Sequence, residues 1–211
     1  PTYMHLAYLP QPGIIRLRLS GASASAELVN ADMDKYSQQL HALLGDNIIS
    51  DQDRSLPEIV GDMLRKHHLT VSTAESCTGG NIAHVITQVA GSSDYFLGAV
   101  VSYANEVKEN VLGVSSHDIA VNGVVSEPVV RQMVEGACRV IGTDCAVSTS
   151  GIAGPGGAVP GKPVGTVWMA AKCNDRVVAQ CCHLPGDRNR VINRATTEAL
   201  KMLYKLLREL D

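Results

Sequence analysis

The chain has 211 residues, enough for one ordinary core plus a small appendage. Its 45% hydrophobic content belongs to a folded globular protein and excludes a disordered one. A net charge of -3 with only 4% aromatics argues against a nucleic-acid binder, and no apolar run reaches membrane-spanning length.

Two stretches read differently, 1–53 and 54–211. The chain opens on Pro1-Thr2 without Met, as expected of a segment from within a longer protein. Two extended runs follow, Leu6 to Leu9 and Ile14 to Leu19, separated by a turn at Pro10, Pro12 and Gly13. In the second, Ile15, Leu17 and Leu19 alternate with Arg16, Arg18 and Ser20, the period of a half-buried strand. A helix with Met33, Tyr36, Leu40, Leu43 and Leu44 on one face stops at Gly45. This is too little apolar material for an independent core, and Asp46 to Arg54 reads as a linker.

A helix over 55–68 opens with a capping box, Ser55 to Glu58, and Pro57 in its first turn. Its stripe is Leu56, Ile59, Val60, Met63 and Leu64, and His67 and His68 read as surface groups at its end. β-branched runs then appear near 70–74, 98–103, 145–150, 165–171 and 177–184. Helical patterns at 80–90, 106–112 and 127–141 stop at Gly91, Gly113 and Gly142. Such alternation predicts a three-layer α/β/α fold with a mostly parallel sheet, mixed because Asn174-Asp175 suits a hairpin. A long last helix places Ile192, Ala195, Ala199, Leu203, Leu206, Leu207 and Leu210 on one stripe.

Ligands of open α/β sheets sit at the carboxyl ends of strands, and three unusual loops leave such ends here. The first is Ala74-Glu75-Ser76-Cys77-Thr78-Gly79-Gly80. Ser76 there is either a nucleophile served by neighbouring N–H groups or a plain helix cap. In the second, Val101 to Lys108, Asn105 is a good helix cap that sets Tyr103 and Lys108 on one side. Lys108 is either a desolvated amine able to activate a hydroxyl or a solvated helix lysine. The third, Ser148 to Gly157, is either a loop wrapped round a polar ligand or a lid without contacts. At the start of the last helix, Arg188 either binds an anion or pairs with Asp187. None of these loops carries a histidine base, so a hydrolase built here needs Lys108 in that place. No His/Asp/Glu cluster has metal-ligand spacing. Cys77, Cys138, Cys145, Cys173, Cys181 and Cys182 form no C-x-x-C pair and read as reduced thiols used as small hydrophobes.

Six motifs in order resemble the CinA C-terminal, or nicotinamide-nucleotide amidase, domain over about 54–211. They are Thr73 to Gly80; Val101-Ser102-Tyr103 with Asn105, Glu106 and Lys108; Gly123 to Glu127; Ser150 to Pro155; Lys162 to Val167; and Gly186-Asp187-Arg188. The resemblance implies a cytoplasmic bacterial amidohydrolase that cleaves the carboxamide of nicotinamide mononucleotide, without metal or organic cofactor. By motif position Ser76 is its nucleophile, and Tyr103 and Lys108 assist deprotonation. Substrate contacts are expected from Glu75, Cys77, Thr78, Gly79, Gly80, Asn105, Ser150, Gly151, Gly154 and Arg188, with the glycine loop at 151–157 closing on the nucleotide. Ser102, Ala104 and Pro185 depart from the motifs without touching the chemistry. Its other implied partners are a second copy, as a homodimer, and neither nucleic acid nor membrane.

Residues 1–53 resemble the tail of a KH-like connecting module of full-length CinA proteins. The molybdopterin-binding-like domain that precedes it there, linked to ADP-ribose pyrophosphatase activity, has no counterpart in these residues, and that activity is not carried over. Two other readings follow from this. One is a non-catalytic interaction domain, since CinA proteins are associated with competence. The other is an RNA-binding module, which the missing Gly-x-x-Gly clamp disfavours.

Overall fold

The computed structural model describes residues 1–11 and 13–211, so Pro12 of the expected turn lies outside the described residues. The chain divides into two compact units, Pro1–Arg54 and Ser55–Asp211. In the first, β1 (Met4–Gln11) and β2 (Ile14–Gly21) form an antiparallel hairpin, with Met4 opposite Gly21 and Gln11 opposite Ile14. α1 (Ala26–Leu44) follows, capped by Ser25, whose hydroxyl accepts from the Leu28 N–H, and ended by Gly45. None of the described residues of this unit is buried. Ile15, expected on the inner face of its strand, is 63% exposed, because a two-stranded sheet has little to cover it. Arg16 is engaged with Asp53 at 2.9 Å.

The second unit begins with α2 (Leu56–Lys66), where the Ser55–Glu58 capping box closes in both directions. His67 ends it, held 3.0 Å from Asp211. The sheet contains β3 (Val71–Glu75), β4 (Phe96–Val101), β5 (Cys145–Gly151), β6 (Thr166–Cys173) and β7 (Arg176–His183), in the order β4-β3-β5-β6-β7. β3 pairs in parallel with β4 and β5, and β6 runs antiparallel to both its neighbours, so β6 alone is reversed. The fold is the expected mixed, mostly parallel α/β sheet, with Asn174 in the left-handed region at the hairpin.

α3 (Asn81–Thr87), α4 (Asn105–Asn110), α5 (Ser116–Asn122), α6 (Glu127–Ile141) and α7 (Arg188–Arg208) complete the unit. α6 lies across all five strands on one face. Its Val129, Val130, Met133, Val134 and Ala137 meet Ala74, Ala146 and Ala170 of the sheet, all essentially without solvent contact. Gly136 lets this helix approach the chain after α4, since a Cβ there would fall 2.1 Å from the Leu112 carbonyl oxygen. The other face carries α7, with α3 over β3 and β4, and α2 outside α7. Lying between sheet and helix, α7 buries more than the expected stripe: Val191, Leu200, Met202 and Tyr204 are enclosed too. Leu210, expected on that stripe, lies beyond the helix and is 44% exposed. Among the described residues no helix is long and apolar enough to cross a membrane.

Candidate active site

β3 leads on to β4 on one side, while β5 leads on to β6 on the other. The crevice between the carboxyl ends of β3 and β5 is therefore the point where the winding reverses, the usual ligand position in such sheets. A cavity of about 210 Å³ opens there, lined by Ser76, Cys77, Tyr103, Asn105, Lys108, Val124, Val125, Ser150, Gly151, Ala153 and Arg188.

Ser76 follows the last residue of β3, and its N–H donates to the Thr149 carbonyl of β5 at 3.0 Å. Lys108 projects from α4 and is only 1% exposed. Its Nζ lies 3.1 Å from Ser76 Oγ and donates to the Ser102 carbonyl oxygen at 2.5 Å. Burial pulls its ammonium below the usual lysine range, with only a weak opposing influence from Cys77. An amine kept partly dry beside a hydroxyl is suited to take that hydroxyl's proton. The alternative of a solvated helix lysine is thereby excluded. Burial also pushes the Cys77 thiol up to about 12, which keeps it protonated.

Arg188 reaches the same crevice from the start of α7. Its Nη1 donates to the Gly154 carbonyl at 2.8 Å and its Nη2 to Tyr103 Oη at 3.0 Å. Asp187 instead caps the helix, accepting from the Arg190 N–H at 2.9 Å, so the ion-pair alternative for Arg188 falls. Tyr103 is 63% exposed and stands at the rim with Arg188, while the lysine and serine meet directly. Ser150 lines the cavity and donates to the Val124 carbonyl at 2.8 Å.

Several expected substrate contacts are placed elsewhere. Asn105 faces the cavity, yet the helix cap is Ala104, so its side chain does no capping. Thr78 is buried against Thr149, with 2.7 Å between hydroxyls, and Gly79 and Gly80 border a neighbouring open groove with Asn81, His84, Asn189 and Asn193. Gly154 contributes only the carbonyl that holds Arg188, and residues 155–161 of the glycine loop are exposed. Glu75 is the largest correction. It has no solvent exposure, and its carboxylate accepts from the N–H groups of Gly80, Ile82 and Ala83 at 3.0, 3.1 and 2.8 Å and from Thr73 Oγ1 at 3.1 Å. No oxygen of it is left for a ligand. Ser102, read as a bystander, anchors Lys108, but through its main chain, which leaves no mark on residue identity. Thr149 and Val124 lie inside loops already singled out, but they accept from Ser76 N–H and Ser150 Oγ through their carbonyls, which residue identity does not signal. Among the described residues no cluster of His, Cys, Asp and Glu could hold a metal ion.

The fold and site define a three-layer α/β domain with a paired serine and lysine at the carboxyl edge of its parallel strands. The model of the CinA C-terminal domain matches residues 53–207, and the chain belongs to that family. It is 40% identical over 206 residues to a CinA-like protein of Flavobacterium psychrophilum, covering 97% of this chain and 49% of that protein. A CinA-like protein of Salinibacter ruber is 49% identical over 164 residues, covering 78% and 40%. The chain thus spans about half or less of these relatives. Among solved structures, a CinA superfamily protein of Klebsiella pneumoniae superposes with a TM-score of 0.70 at 34% identity, covering 74% of this chain and 99% of that one. A competence/damage inducible protein of Agrobacterium tumefaciens gives 0.68 at 34% identity, with the same coverage.

Proposed function

We propose that residues 55–211 form an amidohydrolase that converts nicotinamide mononucleotide to nicotinic acid mononucleotide and ammonia. The observation that carries the chemistry is the buried Lys108 amine 3.1 Å from the Ser76 hydroxyl. The substrate comes from the resemblance of the six motifs to nicotinamide-nucleotide amidases.

Ser76 Oγ attacks the carboxamide carbon as its proton passes to Lys108 Nζ. The negative charge moves to the carboxamide oxygen. Ser76 N–H donates to Thr149, Gly79 N–H to the Ser76 carbonyl, and Gly80 N–H to Glu75. Among the described residues of the turn, the Cys77 and Thr78 N–H groups are the ones not claimed by a main-chain carbonyl or carboxylate. Of the two, Cys77 lines the cavity, and its N–H receives the oxyanion, an interaction worth ~3 kcal/mol of barrier. Lys108 returns the proton to the nitrogen and the C–N bond breaks, releasing ammonia and leaving a seryl ester. Water, deprotonated by the same amine, attacks that ester; the acid departs and Ser76 regains its proton. Arg188 and Tyr103 at the rim suit the phosphate or ring of the nucleotide.

The test is ammonia release from nicotinamide mononucleotide, its riboside and free nicotinamide by the purified chain. Turnover that vanishes in Ser76→Ala supports the reading; undiminished release from that variant, or none from the unaltered protein, overturns it and leaves the interaction-domain alternative.

A further inference from the structure

We propose that Glu75 is a positioning residue for the reaction: an internal anion that shapes the Ser76 turn from behind. The inference rests on the amidohydrolase reading of the site. A carboxylate with no solvent exposure requires compensation, and Glu75 finds it in four donors, two per oxygen. Three of these are N–H groups from the beginning of α3, where backbone dipoles attract negative charge. They tie residues 80, 82 and 83 back to the residue that immediately precedes the nucleophile. Gly80 takes φ of +96° to make the return possible, a conformation that favours glycine.

The same residue holds the other half of the pair through its main chain. The Glu75 carbonyl accepts from the Ser102 N–H at 2.8 Å, and the Ser102 carbonyl in turn accepts from Lys108 Nζ at 2.5 Å. Serine turn and lysine anchor therefore meet at one residue. Because Gly80, Ile82 and Ala83 N–H are saturated by this internal anion, the unclaimed N–H groups of the turn are those of Cys77 and Thr78, and of these Cys77 lines the cavity. A misplacement of about 1 Å at such a site costs on the order of 10²-fold in rate.

Glu75→Gln tests this with little change of shape. Oε2 serves Gly80 and Ile82 and Oε1 serves Ala83 and Thr73, so either amide orientation sets an NH₂ group against at least one N–H donor. In the full chain, with nicotinamide mononucleotide as substrate, kcat should fall by about 10- to 100-fold while KM moves less than about threefold. The rise of kcat/KM with pH that a neutral Lys108 base predicts should stay in place. Hydrogen exchange should quicken at Gly80, Ile82 and Ala83 while α6 and α7 remain protected. A kcat within about threefold of the parent, a KM that rises with kcat preserved, a displaced pH limb or unchanged exchange would each overturn the role. If Glu75→Gln does not fold, Thr73→Val removes one donor isosterically. It should lower kcat severalfold at constant KM and quicken the same amides, and the absence of both effects overturns the proposal. If the unaltered chain releases no ammonia, the amidase reading falls by itself, and exchange still decides whether Glu75 holds the turn.

Discussion

The middle and the carboxyl ends of β3 and β5 lie close together in sequence, yet they bury opposite kinds of surface. Under α6, Met133, Val134 and Ala137 close over Ala74, Ala146 and Ala170, and this layer needs only volume and the absence of water. At the carboxyl ends of the same strands Glu75, Ser102, Lys108, Thr149 and Ser150 are buried to within 1%. Polar groups placed there must be matched one by one, and Lys108 is matched only by neutral oxygens. The difference teaches where stability and activity reside. The apolar layer holds the fold, and the polar nest keeps an amine dry at a cost to the fold. Substitutions in the two regions should therefore separate melting from turnover.

The largest expected effect is that of Ser76→Ala, a loss of about 10⁴-fold or more in kcat with an unchanged melting temperature. Lys108→Met should be nearly as inactive and, unlike most core substitutions, more stable than the parent at neutral pH. The sign follows from burial. The folded-state pKa of Lys108 lies below its usual 10.5, so between the two values the unfolded chain binds more protons and parental stability climbs with pH. Methionine removes that climb. Urea denaturation of both proteins from pH 7 to 10 measures it, and equal slopes would show that the lysine is not desolvated. Since turnover needs the neutral amine, kcat/KM should rise along the same depressed limb.

Met133→Ala probes the other region. Truncation in a layer without solvent costs about 2–5 kcal/mol, seen as a lower urea midpoint, with kcat/KM preserved wherever the protein stays folded. A drop in turnover at full folding would break the separation. Arg188→Lys is milder. An ammonium cannot span Gly154 O and Tyr103 Oη together, and one lost hydrogen bond to a charged group, about 1.5 kcal/mol, corresponds to a KM raised about tenfold.

The apolar region was the more readable of the two in the amino-acid order. The 3.6-residue stripe of α6 and the run that forms β5 state their burial directly, while the equally β-branched run of β7 forms an edge strand with no buried residue, and glycine marks the end of α6. α5 went unseen because seven residues with no buried side chain leave no stripe; its one sign is the Ser115 cap. In the polar nest the motifs located the right loops but not the direction of each side chain. Glu75 sits beside Ser76 in sequence yet faces α3, since successive strand residues point to opposite faces. Lys108 and Arg188 each had two readings that differed only in surroundings. Burial decided the first, and the capping role of Asp187 decided the second.

Cys77→Ala carries the smallest expected effect, and its interest lies in its neighbour. The thiol lines the same cavity as Ser76 and is intrinsically the stronger nucleophile once ionised. Ionisation is what the site withholds. Burial pushes the group up to about 12, and Glu75 adds a smaller push in the same direction, against the hydrogen bond from Thr149. At pH 7 about one thiol in 10⁵ is then a thiolate, too few to compete with a hydroxyl whose neighbouring amine is held below the usual lysine range. The alanine variant keeps the main-chain N–H that the oxyanion needs, so its kcat/KM should stay within about threefold of the parent. A hundredfold loss here, together with ammonia release surviving in Ser76→Ala, would reverse the roles of the two residues and make the lysine the base of a cysteine enzyme.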